Sequence, residues 1–94
     1  MSHPKKQQTS LYENILKLRD LDQCHRFFED LCSMAELSAI EQRFEVAQML
    51  YEGKVYTEIS EKTGASSATV SRVKRALNYG TNGLKEIIEQ PAED

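Results

Sequence analysis

Hydroxyl and cationic side chains alternate with apolar ones in residues 66–75, Ser-Ser-Ala-Thr-Val-Ser-Arg-Val-Lys-Arg. At helical spacing the apolar members fall on one face, which leaves the polar members on the other. Hydroxyls can hydrogen-bond to base edges, and lysine and arginine bind phosphate. The pattern therefore predicts noncovalent recognition of duplex DNA rather than catalysis. The predicted outward residues are Ser67, Thr69, Ser71, Arg72, Lys74 and Arg75.

Two short helices joined by a turn must position these side chains. Residues 56–62 can form about two helical turns, and Gly64 supplies the positive φ that a sharp helix ending needs. Ser66 is a suitable N-cap for a second helix over residues 67–79, which Gly80 ends. This order predicts a helix-turn-helix, a motif that reads the major groove. Five apolar residues are predicted to pack inside it: Ile59, Ala65, Val70, Val73 and Leu77.

The charge of the chain is unevenly distributed. The net charge is −3, yet residues 66–85 contain four cations and no acid. An acidic body with one basic face suits a protein that meets phosphate on one side only. A solvated helix face that lacks acids would have the same composition. The position of the cations on the second helix of the motif favours the DNA interpretation.

The remaining sequence predicts further helices and no strand, so the fold class is all-α with about six helices. Ser10–Glu13 has the spacing of a capping box and predicts a helix to about Arg19. Asp20 or Asp22 can cap a second helix. A second capping box at residues 33–36 opens the longest helix, which reaches about residue 52. Its broad apolar surface suggests burial on more than one side, and Leu84, Ile87 and Ile88 mark a short final helix.

The length of 94 residues predicts one small domain. Residues 1–8 are predicted to be a mobile arm, residues 9–90 a single DNA-binding domain with the motif at about 56–79, and residues 91–94 a free end. No apolar run approaches the ~20 residues that span a bilayer, and no signal peptide is recognised. We therefore expect a cytoplasmic protein with no membrane partner.

Metal binding and catalysis have little support in the sequence. Cys24 and Cys32 are eight residues apart and lack the paired short spacings of a zinc site, so they are interpreted as buried thiols. His25 is interpreted as a partly buried or surface imidazole rather than a catalytic one, and no phosphate-binding glycine loop or serine elbow occurs. We expect no metal, no cofactor and no enzyme activity.

Three segments resemble the Trp-repressor superfamily, and more narrowly its YerC/YecD-type Trp-repressor-related members. They are residues 33–36 (SMAE), 42–50 (QRFEVAQML) and 56–72 (YTEISEKTGASSATVSR). The resemblance is strong over residues 32–77 and extends over residues 11–88 as a match to the narrower family. It implies an all-helical, intertwined homodimer that presents two recognition helices to a palindromic operator. A wide apolar surface on the long helix is an independent indication of a dimer.

The resemblance also implies which residues face DNA. One of them is Thr57, in the first helix of the motif. The others lie in the second helix or at its cap: Ser66, Ser67, Ala68, Thr69 and Ser71. Small residues at the start of that helix let the backbone approach the bases, and the methyl group of Ala68 could touch thymine. Arg72, Lys74 and Arg75 are assigned to the same interface, with Lys74 and Arg75 on phosphate.

Binding of an aromatic corepressor depends on two arginines. In the Trp repressor the indole lies between two arginines, and the matching positions here are Arg43 and Arg72. This chain departs from the pattern at Val73, where the repressor has glycine. Val73 also completes an apolar stripe and is predicted to belong to the core. L-Tryptophan or another aromatic corepressor is therefore one interpretation of the arginine pair; a salt bridge to Glu41 or Glu45, or a phosphate contact, is the other.

The leading hypothesis is thus a homodimeric, sequence-specific DNA-binding transcriptional regulator that acts as a repressor. Two alternatives remain open. The same fold could serve as a protein-interaction module of the transcription machinery, because the body of the chain is acidic. It could also be a ligand-controlled repressor with an aromatic corepressor.

Overall fold

The computed structural model describes residues 9–91, and within that range six α-helices follow one another without a strand. This confirms the predicted all-α class. The predicted arm and residues 92–94 of the predicted free end lie outside the described residues. The helices are α1 (Ser10–Ile15), α2 (Leu21–Leu31), α3 (Met34–Tyr51), α4 (Tyr56–Thr63), α5 (Ser67–Tyr79) and α6 (Gly83–Glu89).

The chain divides into two compact units, the first ending at Met34 and the second beginning at Ala35. In the first unit the predicted start and length of α1 were wrong. Thr9, not Ser10, occupies the N-cap position, and its Oγ1 donates to Glu13 Oε2 at 3.3 Å. The helix ends at Ile15 instead of Arg19.

The early end of α1 has a local cause. The backbone N–H groups of Lys17 and Leu18 bond to carbonyls three residues back, at 3.0 Å each, which tightens the chain out of the α-helical pattern. Gln23 Oε1 then accepts from the backbone N–H of Arg19 at 2.8 Å. Asp20 caps α2 as predicted, because its carboxylate accepts from Gln23 N at 2.8 Å.

Neither α1 nor α2 has a buried residue. Phe27 and Phe28 pack edge to face, with ring centroids 5.1 Å apart, and both are half-buried. Several large apolar side chains of this unit are instead exposed. They are Leu11, Tyr12, Leu16, Leu21, Leu31 and Met34.

The core lies in the second unit. Val46 and Ala47 of α3 are fully buried, as are Ile59 of α4 and Val70 of α5. All five apolar residues predicted to fill the motif are buried, including Val73 at 5% exposure. The helix-turn-helix is therefore built directly against the long helix. Ile40, earlier on α3, remains 49% exposed.

A Schellman ending turns the chain from α3 toward α4. Gly53 has a φ of +87°, which is the left-handed region that glycine adopts without strain. The N–H of Lys54 bonds to Met49 O at 3.1 Å, and that of Gly53 to Leu50 O at 3.0 Å. These bonds satisfy carbonyls that the helix end would otherwise leave unpaired.

The start of α6 requires no such glycine: Asn82, at a φ of 73°, adopts the left-handed conformation there. At the far end of α6, Tyr51 OH donates to Glu89 Oε2 at 3.0 Å, which ties this helix to α3. The hydrogen bond to Glu89 raises the pKa of Tyr51 above its ordinary value of 10.0, and the negative charge of Glu89 acts in the same direction.

We expect Tyr51→Phe to lower the stability of the fold at pH 8, with the difference from wild type shrinking as the pH rises above about 10. The raised pKa means that the folded state holds the phenolic proton more tightly than the unfolded state does. This contribution is full below the unfolded pKa and is lost as the pH passes the folded one. Urea unfolding of both proteins from pH 8 to 11 measures it. A difference that stays constant across that range would contradict the account.

Candidate nucleic-acid interface

The predicted helix-turn-helix is present, and its turn has the predicted chemistry. Gly64 ends α4 with a φ of +77°, and its N–H bonds to Ser60 O at 2.8 Å. Thr63 reinforces the turn, because its Oγ1 donates to Ile59 O at 2.8 Å and accepts from Ala65 N at 3.1 Å. Backbone groups in the turn are thus paired locally, which fixes where α5 begins.

Ser66 caps α5, as predicted. Its Oγ accepts from the backbone N–H of Thr69 at 3.1 Å and donates to Thr69 Oγ1 at 3.2 Å. Thr69 is half-buried, whereas Ser66 is exposed. The hydroxyl of Thr69 is therefore engaged within the protein, although its proton remains available to a partner.

Gln42 of α3 holds the turn from outside the motif. Its Nε2 donates to Thr63 O at 3.1 Å and lies 3.8 Å from the position that a Cβ on Gly64 would occupy. This contact sets the turn against the long helix and so helps to orient α5. Sequence reasoning missed Gln42, because a glutamine within a mixed helical pattern carries no sign of a partner 21 residues away.

We expect Gln42→Glu to destabilise the fold by about 1 kcal/mol at pH 7, since a carboxylate cannot donate to the carbonyl of Thr63. Protonation of the new carboxyl at about pH 4 restores a donor and should recover part of that loss. Urea unfolding at the two pH values measures the effect. Gln48→Glu, an exposed position of α3, is the matched control. Equal losses for both variants would contradict the assigned role of Gln42.

The predicted DNA-facing side chains lie on the outside of this motif, and only one of them is partly covered. Thr69 is half-buried. The remaining eight are exposed: Thr57, Ser66, Ser67, Ala68, Ser71, Arg72, Lys74 and Arg75. Val70, Val73 and Leu77 of the same helix point into the core. The structure thus brings the predicted residues together on and beside one helix.

The two arginines assigned to a corepressor line one cavity. It has a volume of ≈ 480 Å³ and lies between α3, α5 and the start of α6. Arg43 and Arg72 are among the residues that line it, together with the apolar Phe44 and Leu84. Val73 also lines the cavity, so its side chain occupies space there as well as packing in the core.

Thr69 connects this cavity with the outer face of α5. It lines the cavity, and its hydroxyl accepts the bond from the capping Ser66. No acidic residue is among those that line the cavity, so the arginines meet no carboxylate in it.

Comparison with known proteins assigns the chain to a family. A family model described as "Trp repressor protein" matches residues 6–92. The chain belongs to the Trp repressor family. This confirms the resemblance found in the sequence, and the family is one of DNA-binding regulators of transcription, not of enzymes.

Individual relatives in the Trp repressor family agree with this assignment. The uncharacterized protein YerC of Bacillus subtilis (strain 168) is 48% identical over 88 residues, which cover 94% of this chain and 85% of YerC. A TrpR-like protein from Eubacterium eligens has a crystal structure with 53% identity and a TM-score of 0.81, covering 84% of this chain and 81% of that one. The crystal structure of a candidate Trp repressor from Staphylococcus aureus has 37% identity and a TM-score of 0.87, over 92% and 86% of the two chains.

Two other kinds of site are absent from the part of the chain that the structure describes. No helix among residues 9–91 is long and apolar enough to cross a membrane. In the same range, no three His, Cys, Asp or Glu side chains lie close enough together to hold a metal ion. Cys24 and Cys32 are free thiols, and both are half-buried rather than buried as the sequence predicted.

Proposed function

We propose that this chain is a sequence-specific DNA-binding transcriptional regulator that acts as a repressor. In this proposal a homodimer reads a palindromic operator through the major groove. The observation that carries the proposal is the outer face of α5. Small hydroxyl side chains are exposed at its first turn, cations follow, and residues 66–85 contain no acid.

The first turn of α5 is suited to base edges. Ser67 and Ala68 are exposed and short, so the helix backbone can come close to the floor of the groove. Ser71 lies about one turn further along the same face. Hydroxyls accept from or donate to several bases, and a methyl group can contact thymine. With side chains this short, bridging water can carry part of the readout.

The cations of α5 are suited to the phosphate backbone. Arg72, Lys74 and Arg75 are exposed and lie beyond the first turn, toward the middle of the helix. They sit on a chain whose remaining residues are acidic in balance. A local positive face of this kind orients the motif toward DNA and keeps other surfaces away from it.

The homodimer is supported by the exposed apolar residues of the first unit. Neither α1 nor α2 buries a residue within one chain, although both carry large apolar side chains. Exposed apolar surface of this extent is typical of an interface. Two-fold symmetry would place two copies of α5 about one turn of DNA apart, ~34 Å, which is the spacing that a palindrome requires. A protein that reads the bacterial genome works in the cytoplasm, where we place it.

Gel shifts of the purified chain with genomic fragments, at two salt concentrations, test this function. We expect the chain to bind some fragments with much higher affinity than others. Affinity should also fall steeply as the salt concentration rises, because phosphate contacts release counterions. Equal binding to all fragments, or affinity indifferent to salt, would contradict the proposal. Co-purification of a protein partner together with no DNA binding would instead favour an interaction module.

The cavity between Arg43 and Arg72 favours a second candidate, a repressor controlled by an aromatic corepressor. Its ≈ 480 Å³ lies within the range of small-molecule sites, ~300–1,000 Å³, and guanidinium planes stack well on aromatic rings. Val73 narrows the same space. Calorimetric titration with L-tryptophan tests this candidate. A saturating heat that Arg43→Gln abolishes would support it, and no heat would exclude L-tryptophan.

A further inference from the structure

We propose that Lys54, Lys74 and Asn78 form a phosphate-binding site that holds a DNA backbone phosphate away from the bases read by α5. The site rests on the proposed function and extends the interface to the loop before α4. Lys54 belongs to that loop and lies outside the residues that the sequence assigned to DNA.

The observation behind this site is a second cavity, of ≈ 370 Å³, beside the start of α4. It is bounded by the end of α3, the loop over residues 52–55, the start of α4 and the second half of α5. Lys54, Lys74 and Asn78 are among the residues that line it. No carboxylate lines it, and its floor includes the apolar Leu50 and Leu77. A cavity lined by two cationic residues and no acidic one favours an anion.

The ammonium group of Lys74 is held in place by an aromatic ring. Its Nζ lies 5.6 Å from the centroid of the Tyr56 ring, which is within the range of a cation–π contact. The ring is half-buried and packs against the core, so its position is fixed and it can hold the flexible side chain of Lys74 in one place. Tyr56 is therefore a positioning residue for Lys74. Lys74 and Asn78 are four residues apart on α5 and project from the same face.

Phosphate of duplex DNA is the anion that this geometry favours. In a helix-turn-helix the first helix crosses the DNA backbone, and the cavity lies at the start of that helix, α4. Thr57, the next residue after Tyr56, is exposed at the same end. Lysine ammonium and asparagine amide groups both donate to phosphate oxygens. A free phosphate offers the same oxygens, so the test must separate the two sources.

Lys54→Gln is the decisive variant, and Lys62→Gln, an exposed lysine at the opposite end of α4, is its matched control. Affinity for the tightest genomic fragment is measured over a salt series. Removal of one phosphate contact lowers the slope of log affinity against log salt by about 1, and by about 2 in a homodimer. We expect this lower slope for Lys54→Gln and for Lys74→Gln. The order in which either variant prefers the genomic fragments should stay as in wild type. Lys62→Gln should match wild type.

Two Tyr56 variants test the positioning role. Tyr56→Phe keeps an aromatic ring under Lys74 and should bind DNA as wild type does. Tyr56→Leu removes the ring and should weaken binding about 2- to 5-fold for each chain. The same substitution in the Lys74→Gln background should have no further effect on binding. A loss of equal size in both backgrounds would mean that Tyr56 acts only through the fold.

Neutral methylphosphonate linkages identify the phosphate itself. Each linkage is introduced singly along the bound fragment. At least one of them should lower the affinity of the wild-type protein for the fragment and leave the affinity of Lys54→Gln unchanged. Inorganic phosphate, compared with chloride at equal ionic strength, should not displace the fragment; displacement would show that the site takes free phosphate. If wild type prefers some fragments and Lys54→Gln has the same salt dependence as Lys62→Gln, the phosphate site is contradicted and the proposed function stands. If wild type binds no duplex DNA, the phosphate site and the proposed function are both contradicted.

Discussion

Ala68→Glu is expected to lower the affinity for DNA about 100-fold or more while leaving the fold intact. Ala68 is exposed in the first turn of α5, where the proposed interface comes closest to the bases. A carboxylate there would face base edges and phosphates, and like charges brought together in an interface cost several kcal/mol. Binding curves with the tightest fragment at low salt measure the effect.

Folding of this variant should be unaffected, because an acid in the first turn of a helix interacts favourably with the helix dipole. Ala68→Gln is the size-matched control, and it separates the added bulk from the added charge. Gln48→Glu adds the same charge to an exposed position of α3 and should bind DNA normally. If Ala68→Glu and Gln48→Glu bind alike, the first turn of α5 does not face DNA.

Ile59→Ala is expected to reduce the free energy of unfolding by about 2–5 kcal/mol. Ile59 is fully buried in the core that joins α3 to the two helices of the motif. Small domains are stable by only about 5–15 kcal/mol, so this loss is a large share of the total. Urea unfolding, with all proteins at one chain concentration, measures it.

The matched control for this change is Ile87→Ala in α6, where the side chain is 57% exposed. Surface substitutions of this kind change stability by about 0.5 kcal/mol or less. A loss for Ile87→Ala as large as that for Ile59→Ala would show that α6 is covered by a partner under the conditions used. Equal stability of Ile59→Ala and wild type would contradict the described core.

Features of the motif that depend on neighbouring residues were predictable from the sequence. Gly64 has the predicted left-handed conformation, and Ser66 caps α5, because each depends on geometry within three or four residues. The buried face of α5 followed from its apolar spacing, and Val73 is in the core as expected. The number of helices, six, was predictable for the same reason.

Contacts between distant residues were not predictable in this way. Gln42 bonds to Thr63, 21 residues away, and Tyr51 bonds to Glu89, 38 residues away. No local sequence pattern indicates either bond. The cation–π contact of Lys74 with Tyr56 also joins two helices. The predicted end of α1 was too late. After α1 the backbone N–H groups bond to carbonyls three residues back, and no side-chain pattern in the sequence indicates that change. The pairing of Arg43 with Arg72 came from the family resemblance rather than from spacing.

Selection of bound sequences from a pool of randomised duplexes tests the central claim most directly, because it asks whether this chain reads bases at all. The account predicts enrichment of a two-fold symmetric site whose half-sites lie about one turn of DNA apart. Ala68→Glu, carried through the same rounds, should enrich nothing. A wild-type pool that remains random after selection, while the protein is folded and binds DNA, would contradict the claim that α5 reads sequence.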